Sequence, residues 1–165
     1  MKKLFLSLSL IMGVSGVIFA QKSNVKLAET LTLQEKPDFN GARNAIKQAI
    51  ENEATKNDAK TYFTAGMIGY TENDSFNKLL MLGKENQVNK LKKGEAIMES
   101  INYFMKANEL DQKPDAKGKV KPKFTKKIKD NLKELYSTQY NMIAYGAELF
   151  DKKDYKTASN VFSTF

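Results

Sequence analysis

The sequence predicts an all-α fold built from helical hairpins, and three observations carry that expectation. Lys, Glu, Ala, Leu and Asn dominate the 165 residues, while Val, Ile and Thr are scattered, a balance that favours helix over strand. Apolar residues recur at spacings of three and four and never alternate long enough to mark a strand. The three prolines, Pro37, Pro114 and Pro122, each stand where the helical periodicity stops, as befits a residue with no N–H to donate.

Taken in order, the chain begins with Lys2 and Lys3, followed by an uncharged, mostly apolar run from Leu4 to Phe19 and by Ala20 before polar Gln21. A basic start, a short apolar run and a small residue form the pattern of a secretory signal peptide over residues 1–20, with Ile18 and Ala20 at the cleavage-recognition positions. A retained membrane anchor is the alternative, but the run is short for a span. Residues 21–165 are left as one domain. Its first helix covers about Asn24 to Gln34, with Val25, Leu27, Leu31 and Leu33 apolar, and Lys36-Pro37 ends it. Asp38 caps a second helix from Phe39 to about Glu53, with a stripe of Phe39, Ala42, Ile46, Ala49 and Ile50. A third covers about Asp58 to Tyr70, and Asn73-Asp74-Ser75 reads as a turn and cap. Phe76 to Lys93 is mixed: Leu79, Leu80 and Leu82 favour helix, and Gly83 opposes it. Gly94 or Glu95 opens a helix to Leu110. A lysine-rich loop comes next, then a helix from near Lys126 to Phe150 with a break near Ser137. Asp154 caps the last helix, from Tyr155 onward.

One pattern repeats. Residues 37–49, "PDFNGARNAIKQA", and 153–165, "KDYKTASNVFSTF", share an Asp, an aromatic, an Ala and two later apolar positions. These are Asp38, Phe39, Ala42, Ile46 and Ala49, matched by Asp154, Tyr155, Ala158, Phe162 and Phe165. A middle copy supplies Ser100, Phe104 and Ala107, so that Ala49, Ala107 and Phe165 stand 58 residues apart. A small residue lets a neighbouring helix approach, and a bulky one a turn later fills the gap. Partner helices should precede each copy: "TYFTAGMIGY" places Tyr62, Ala65 and Gly66, and "NMIAYGAELF" places Met142, Tyr145, Gly146 and Leu149. Glycine inside a helix costs about 1 kcal/mol against alanine, so close helix contact is the natural reason for it.

The pattern resembles the tetratricopeptide repeat, with "YGAELFDKKDYKTASNVF" the best match and "FMKANELD" similar to the end of a second repeat helix. The helix from Asn24 to Gln34 lacks the glycine signature, and Gly69 stands where a tyrosine is expected. That family's unit is about 34 residues, so a 58-residue period implies two inserts of about 24 residues. One lies between Tyr70 and Glu95, and the other is the lysine loop together with the residues after it. The resemblance implies an α-solenoid with repeat-packing residues Phe39, Ala42, Ile46, Ala49, Tyr62, Gly66, Ser100, Phe104, Ala107, Gly146, Tyr155, Ala158 and Phe162. A terminal repeat needs a polar outer face, which Phe162 and Phe165 do not supply. The natural chain is therefore expected to continue past Phe165, unless an oligomer covers that end.

Composition narrows the chemistry. The chain has no histidine and no cysteine, which removes the usual general base, the Ser-His-Asp and Cys-His arrangements, the commonest metal ligand and any disulfide. No phosphate loop, zinc spacing or nucleophile elbow is present. Glu72, Asn73 and Asp74 fail the spacing of a calcium loop, and capping is their simpler role. A non-catalytic chain without cofactor or metal is expected. The formal net charge is +8, and Gln112 to Lys129 holds eight lysines and one aspartate. That run has no arginine and one aromatic, Phe124, which disfavours nucleic acid. It reads as a solvated loop, or as a contact to anionic envelope surfaces or acidic glycan through Lys117, Lys119, Lys121, Lys123, Lys126 and Lys127.

Two further stripes stand out. Phe63, Met67 and Tyr70 form a second face on the third helix; Tyr140, Ala144, Ala147 and Phe150 form one near Gly146. Large apolar residues on a second face suit a concave groove that takes a protein partner, unless the inserts cover them and make them core. The expected role is a protein-interaction scaffold of the bacterial envelope, exported and periplasmic, outer-membrane-associated or extracellular. The alternative is a surface or glycan accessory working through residues 112–129.

Overall fold

The computed structural model describes residues 23–164; the signal-like segment and Phe165 lie outside them. The described chain is all-α, with no strand among its residues. The helices are α1 (23–33), α2 (Phe39–Glu51), α3 (Ala59–Met81), α4 (Lys90–Asp111), α5 (Thr125–Ser137), α6 (Gln139–Asp151) and α7 (Tyr155–Thr164), with a single 3-10 turn at Glu85–Gln87.

Short polar side chains start most of these helices by satisfying amides that lack an intrahelical partner. Asp38 accepts from the Gly41 amide at 2.8 Å, Asp58 from that of Lys60 at 2.9 Å, Asn89 from that of Lys92 at 3.0 Å and Asp154 from that of Thr157 at 3.2 Å. α3 ends at Gly83, whose φ of 68° lets the amides of Gly83 and Lys84 turn back onto the carbonyls of Leu80 and Leu79. The same closure ends α6 at Lys153, φ 64°, a conformation costlier for lysine than for glycine.

Two boundaries differ from the sequence reading. α3 does not stop at Tyr70 but runs through Asn73-Asp74-Ser75 to Met81, and none of those three caps a helix. Asn73 is buried, Asp74 pairs with Lys78 at 2.8 Å and Glu72 pairs with Arg43. Likewise α4 begins at Lys90, capped by Asn89, so Gly94 is interior to it.

Three helix pairs, α1–α2, α3–α4 and α6–α7, pack antiparallel, each seated on small residues. In α1–α2, Leu31 lies against Gly41 while Asn24 donates to Gln48 at 3.0 Å, and Ala28, Ala42, Ile46 and Ala49 are buried. In α3–α4, Gly66 lies under the Phe104 ring and Gly69 against the Ala96 carbonyl and Ser100 amide. The Ser100 hydroxyl donates to the Gly66 carbonyl at 2.9 Å in the same buried seam. In α6–α7, Gly146 lies under the Phe162 ring and Ala158 is buried. Ala42, Ser100 and Ala158, the small positions of the three sequence copies, are 0, 0 and 2% exposed.

Two apolar clusters result. One joins α1, α2 and α3 through Val25, Ala28, Ala45, Ile46, Ala65 and Ile68. The other joins α4 to α5, α6 and α7 through Ile97, Ile101, Phe104, Ile128, Leu135, Met142, Tyr145 and Val161. Gly94 links α4 to α6, because the Tyr145 ring lies where its side chain would be.

Arg43, the chain's single arginine, fastens three helices together. From α2 it donates to Glu99 of α4, with both Nε contacts at 3.0 Å and Nη2 at 2.6 Å, and to Glu72 of α3 at 2.5 Å. Burial opposes its charge, but hydrogen bonds and attraction to Glu99 and Glu72 outweigh that and raise its pKa.

Candidate functional site

The two stripes that the sequence offered as a partner groove meet different fates. Phe63, Met67 and Tyr70 are half-buried and packed against the α4–α7 cluster. The second insert lies over them. Phe124 stacks on Phe63 with ring centroids 4.8 Å apart, and the Lys127 ammonium sits 5.7 Å from the Phe63 centroid. The Asn131 amide donates to the Met67 sulfur at 3.4 Å, and the Tyr70 hydroxyl donates to Glu134. Burial, together with the bond to Glu134, raises the Tyr70 pKa. α5 presents Phe124, Lys127, Asn131 and Glu134 at spacings of three and four on the face that meets α3. The chain itself occupies this part of the expected groove.

α5 is held there by Asp111, the last residue of α4. Its carboxylate accepts from the amides of Lys123 (2.9 Å), Phe124 (2.8 Å) and Thr125 (2.8 Å) and from the Thr125 hydroxyl (2.8 Å). Asp111 is thus the N-terminal cap of α5 from fourteen residues upstream, a role no residue beside that helix fills. Burial opposes the charge of Asp111, but these bonds outweigh it and hold its carboxyl below the ordinary aspartate range.

The α6 stripe is open. Tyr140 is 77% exposed and Phe150 57%, and Ala144 and Ala147 lie exposed between them. Ile143, which the sequence reading did not single out, is also exposed and extends the row. Tyr155 of α7 meets Phe150 edge-to-face with centroids 5.0 Å apart, and Phe162 is half-exposed on the same helix. The opposite face of α6 buries Met142, Tyr145, Gly146 and Leu149, so this helix is apolar on both sides. Tyr140 and Ala144 also edge a cavity of about 480 Å³ between α4, α6 and the 80–88 connection.

The lysine loop is ordered by Asp115 within it and by Asp111 at the end of α4. Asp115 accepts from the amides of Lys117 (2.9 Å) and Lys119 (3.0 Å), and Gly118 closes the turn. Lys121 pairs with Asp115 at 3.3 Å and Lys113 with Glu109 at 3.5 Å. Among the described residues, no carboxylate lies within ion-pair distance of Lys117, Lys119, Lys123 or Lys126, all of which are exposed.

No group of acidic, histidine or cysteine residues suited to a metal ion occurs among the described residues. Nor is any described helix long and apolar enough to cross a membrane. Compared with family models, curated proteins and solved structures, the chain matches none of them.

Proposed function

We propose that the chain is an exported, non-catalytic helical repeat protein, similar to tetratricopeptide-repeat adaptors of bacterial envelopes, that binds a protein partner along the exposed face of α6. The repeat reading is supported by the three antiparallel pairs α1–α2, α3–α4 and α6–α7, each with a buried small residue at the 58-residue spacing. α5 and its loop are the second insert; the first is the extension of α3 with the 82–89 connection. Export rests on the segment Lys2 to Ala20, outside the described residues. The observation that carries the binding reading is the uninterrupted row of Tyr140, Ile143, Ala147 and Phe150 in solvent.

A second reading has its own observation. Four ammonium groups, of Lys117, Lys119 and Lys123 in the ordered loop and of Lys126 in the first turn of α5, face solvent without carboxylate partners among the described residues, an arrangement suited to anionic lipid headgroups or acidic glycan.

The two readings separate by salt and by substitution. With a photo-crosslinking residue at Ile143, the wild-type protein in its native envelope is expected to give one discrete adduct that persists in moderate salt. Tyr140→Ser with Phe150→Ser should abolish it, and replacing Lys117, Lys119, Lys123 and Lys126 by Gln should leave it intact. Adduct loss on lysine replacement together with steep weakening between low and physiological salt would transfer the function to the loop. An adduct indifferent to both sets of substitutions sinks both readings.

A further inference from the structure

The cavity between α4, α6 and the 80–88 connection contains a feature that partner binding does not use. Lys93, on the inward face of α4, is only 7% exposed and lines the cavity, and its ammonium makes no hydrogen bond or ion pair with any described residue. The stem of Lys93 is enclosed while its Nζ keeps contact with solvent through the cavity, with no carboxylate within ion-pair distance among the described residues; an ammonium shielded in this way gains from an anion beside it. Arg43, by contrast, has two carboxylates for this purpose. Burial lowers the Lys93 pKa, the direction expected when no anion offsets the loss of water.

The remaining walls describe what would complete the site. Ile97 and the Tyr145 ring are buried, Val88 is half-buried, and Ala144 and Tyr140 stand at the solvent side. Gly94 allows the Tyr145 ring to lie flat on α4 beside Lys93. Two carboxylates, Glu85 and Glu148, and Lys90 also line it; Glu148 is engaged by Lys152 at 3.5 Å. Acidic groups here repel extended polyanions while leaving room for a single anionic head with an apolar body. The volume of about 480 Å³ lies within the range of small-molecule sites.

We propose that this cavity binds a small organic acid, its carboxylate paired with Lys93 and its apolar body between Ile97, Val88 and the rings of Tyr145 and Tyr140. The inference goes beyond the partner-binding reading and does not depend on it. Tyr140 and Ala144 border both surfaces, whereas Lys93 belongs to the cavity alone and Phe150 to the α6 row alone.

The test uses 3-phenylpropionate as the probe, with 3-phenylpropylamine as its cationic counterpart, monitored by calorimetry and by amide shifts of the labelled protein. Phenylpropionate is expected to bind near or below about 1 mM, to shift amides around Gly94 and Tyr145, and to bind at least about tenfold more tightly than the amine. Lys93→Met keeps the apolar stem and should weaken the acid at least about tenfold while leaving the melting temperature of the unliganded protein equal or higher. Ala144→Phe, on the exposed side of α6, should block the acid with Lys93 still in place, so the outcome does not hang on one variant. Replacing the four loop lysines should change nothing. Equal binding of acid and amine, full affinity in Lys93→Met, or shifts confined to the 112–129 loop would each overturn the proposal, as would no binding by the wild type.

Discussion

Gly69→Ala should lower the stability of the folded chain by about 3 kcal/mol, close to a 10 °C fall in melting temperature for a domain of this size. On helix propensity alone the same change should stabilise by about 1 kcal/mol, so the sign of the result decides between local and tertiary control. The structure favours tertiary control because a Cβ on Gly69 would stand 2.4 Å from the Ala96 carbonyl oxygen and 3.1 Å from the Ser100 amide nitrogen. Both are backbone atoms of α4, so relief requires the two helices to separate, and the Ser100–Gly66 hydrogen bond lies in the same seam. Gly66→Ala should cost less. Its obstacle is the Phe104 ring at 2.5 Å, and a ring can tilt where a carbonyl cannot. Thermal unfolding monitored by circular dichroism checks both, and a more stable Gly69→Ala protein would show that α3 and α4 are not this close.

Asp111→Ala should cost about 3 kcal/mol at neutral pH, since it removes four hydrogen bonds to a buried carboxylate and with them the cap of α5. The effect should depend on pH with a definite sign. The folded-state pKa of Asp111 is depressed, so its contribution is fully present above the unfolded value of about 3.9 and is lost as pH falls through the lower folded value. The stability gap between the wild type and Asp111→Ala should therefore be flat from about pH 5 to 8 and shrink below about pH 4. Hydrogen exchange should show α5 amides losing protection first in the variant, with Phe63, Met67 and Tyr70 newly accessible to solvent. A gap that widens on acidification would mean that Asp111 is not the anion drawn into these bonds.

The local features of the fold were legible in the sequence and the distant ones were not. Asp38, Asp58 and Asp154 announce helix starts because a cap acts within three residues of itself. Ala42, Ser100 and Ala158 announce buried positions because their spacing matches that of bulky residues one turn on. By contrast, Asn73-Asp74-Ser75 looks like a turn, yet α3 continues through it because Glu72 is drawn to Arg43 and Asn73 is buried against the neighbouring helices. Gly94 looks like a helix boundary, yet it lies inside α4 because Tyr145 of α6 needs the space.

The same division runs through the candidate site. The α6 row could be read from the spacing of Tyr140, Ala144, Ala147 and Phe150. For Phe63, Met67 and Tyr70 the sequence left open whether an insert covers them, and what settles it is not local: Asp111 reaches across the lysine loop to cap α5. Lys93 carried no signal at all: flanked by Lys90 and Lys92 it reads as part of a solvated face, and only the packing of α6 encloses it.

The central claim is that small residues on one helix receive large rings from the next, so that successive hairpins nest. It is tested most directly at the α4–α6 contact, by a double-mutant cycle of Gly94→Ala and Tyr145→Ala. A Cβ on Gly94 would lie 2.3 Å from the Tyr145 Cγ, so each single change should destabilise, by about 2 and about 3 kcal/mol. The double variant should be at least about 1 kcal/mol more stable than their sum, because truncation at Cβ removes the Cγ and Cδ atoms that the new methyl would meet. Strict additivity of the two would contradict the nested contact and with it the joining of the α3–α4 pair to α6–α7.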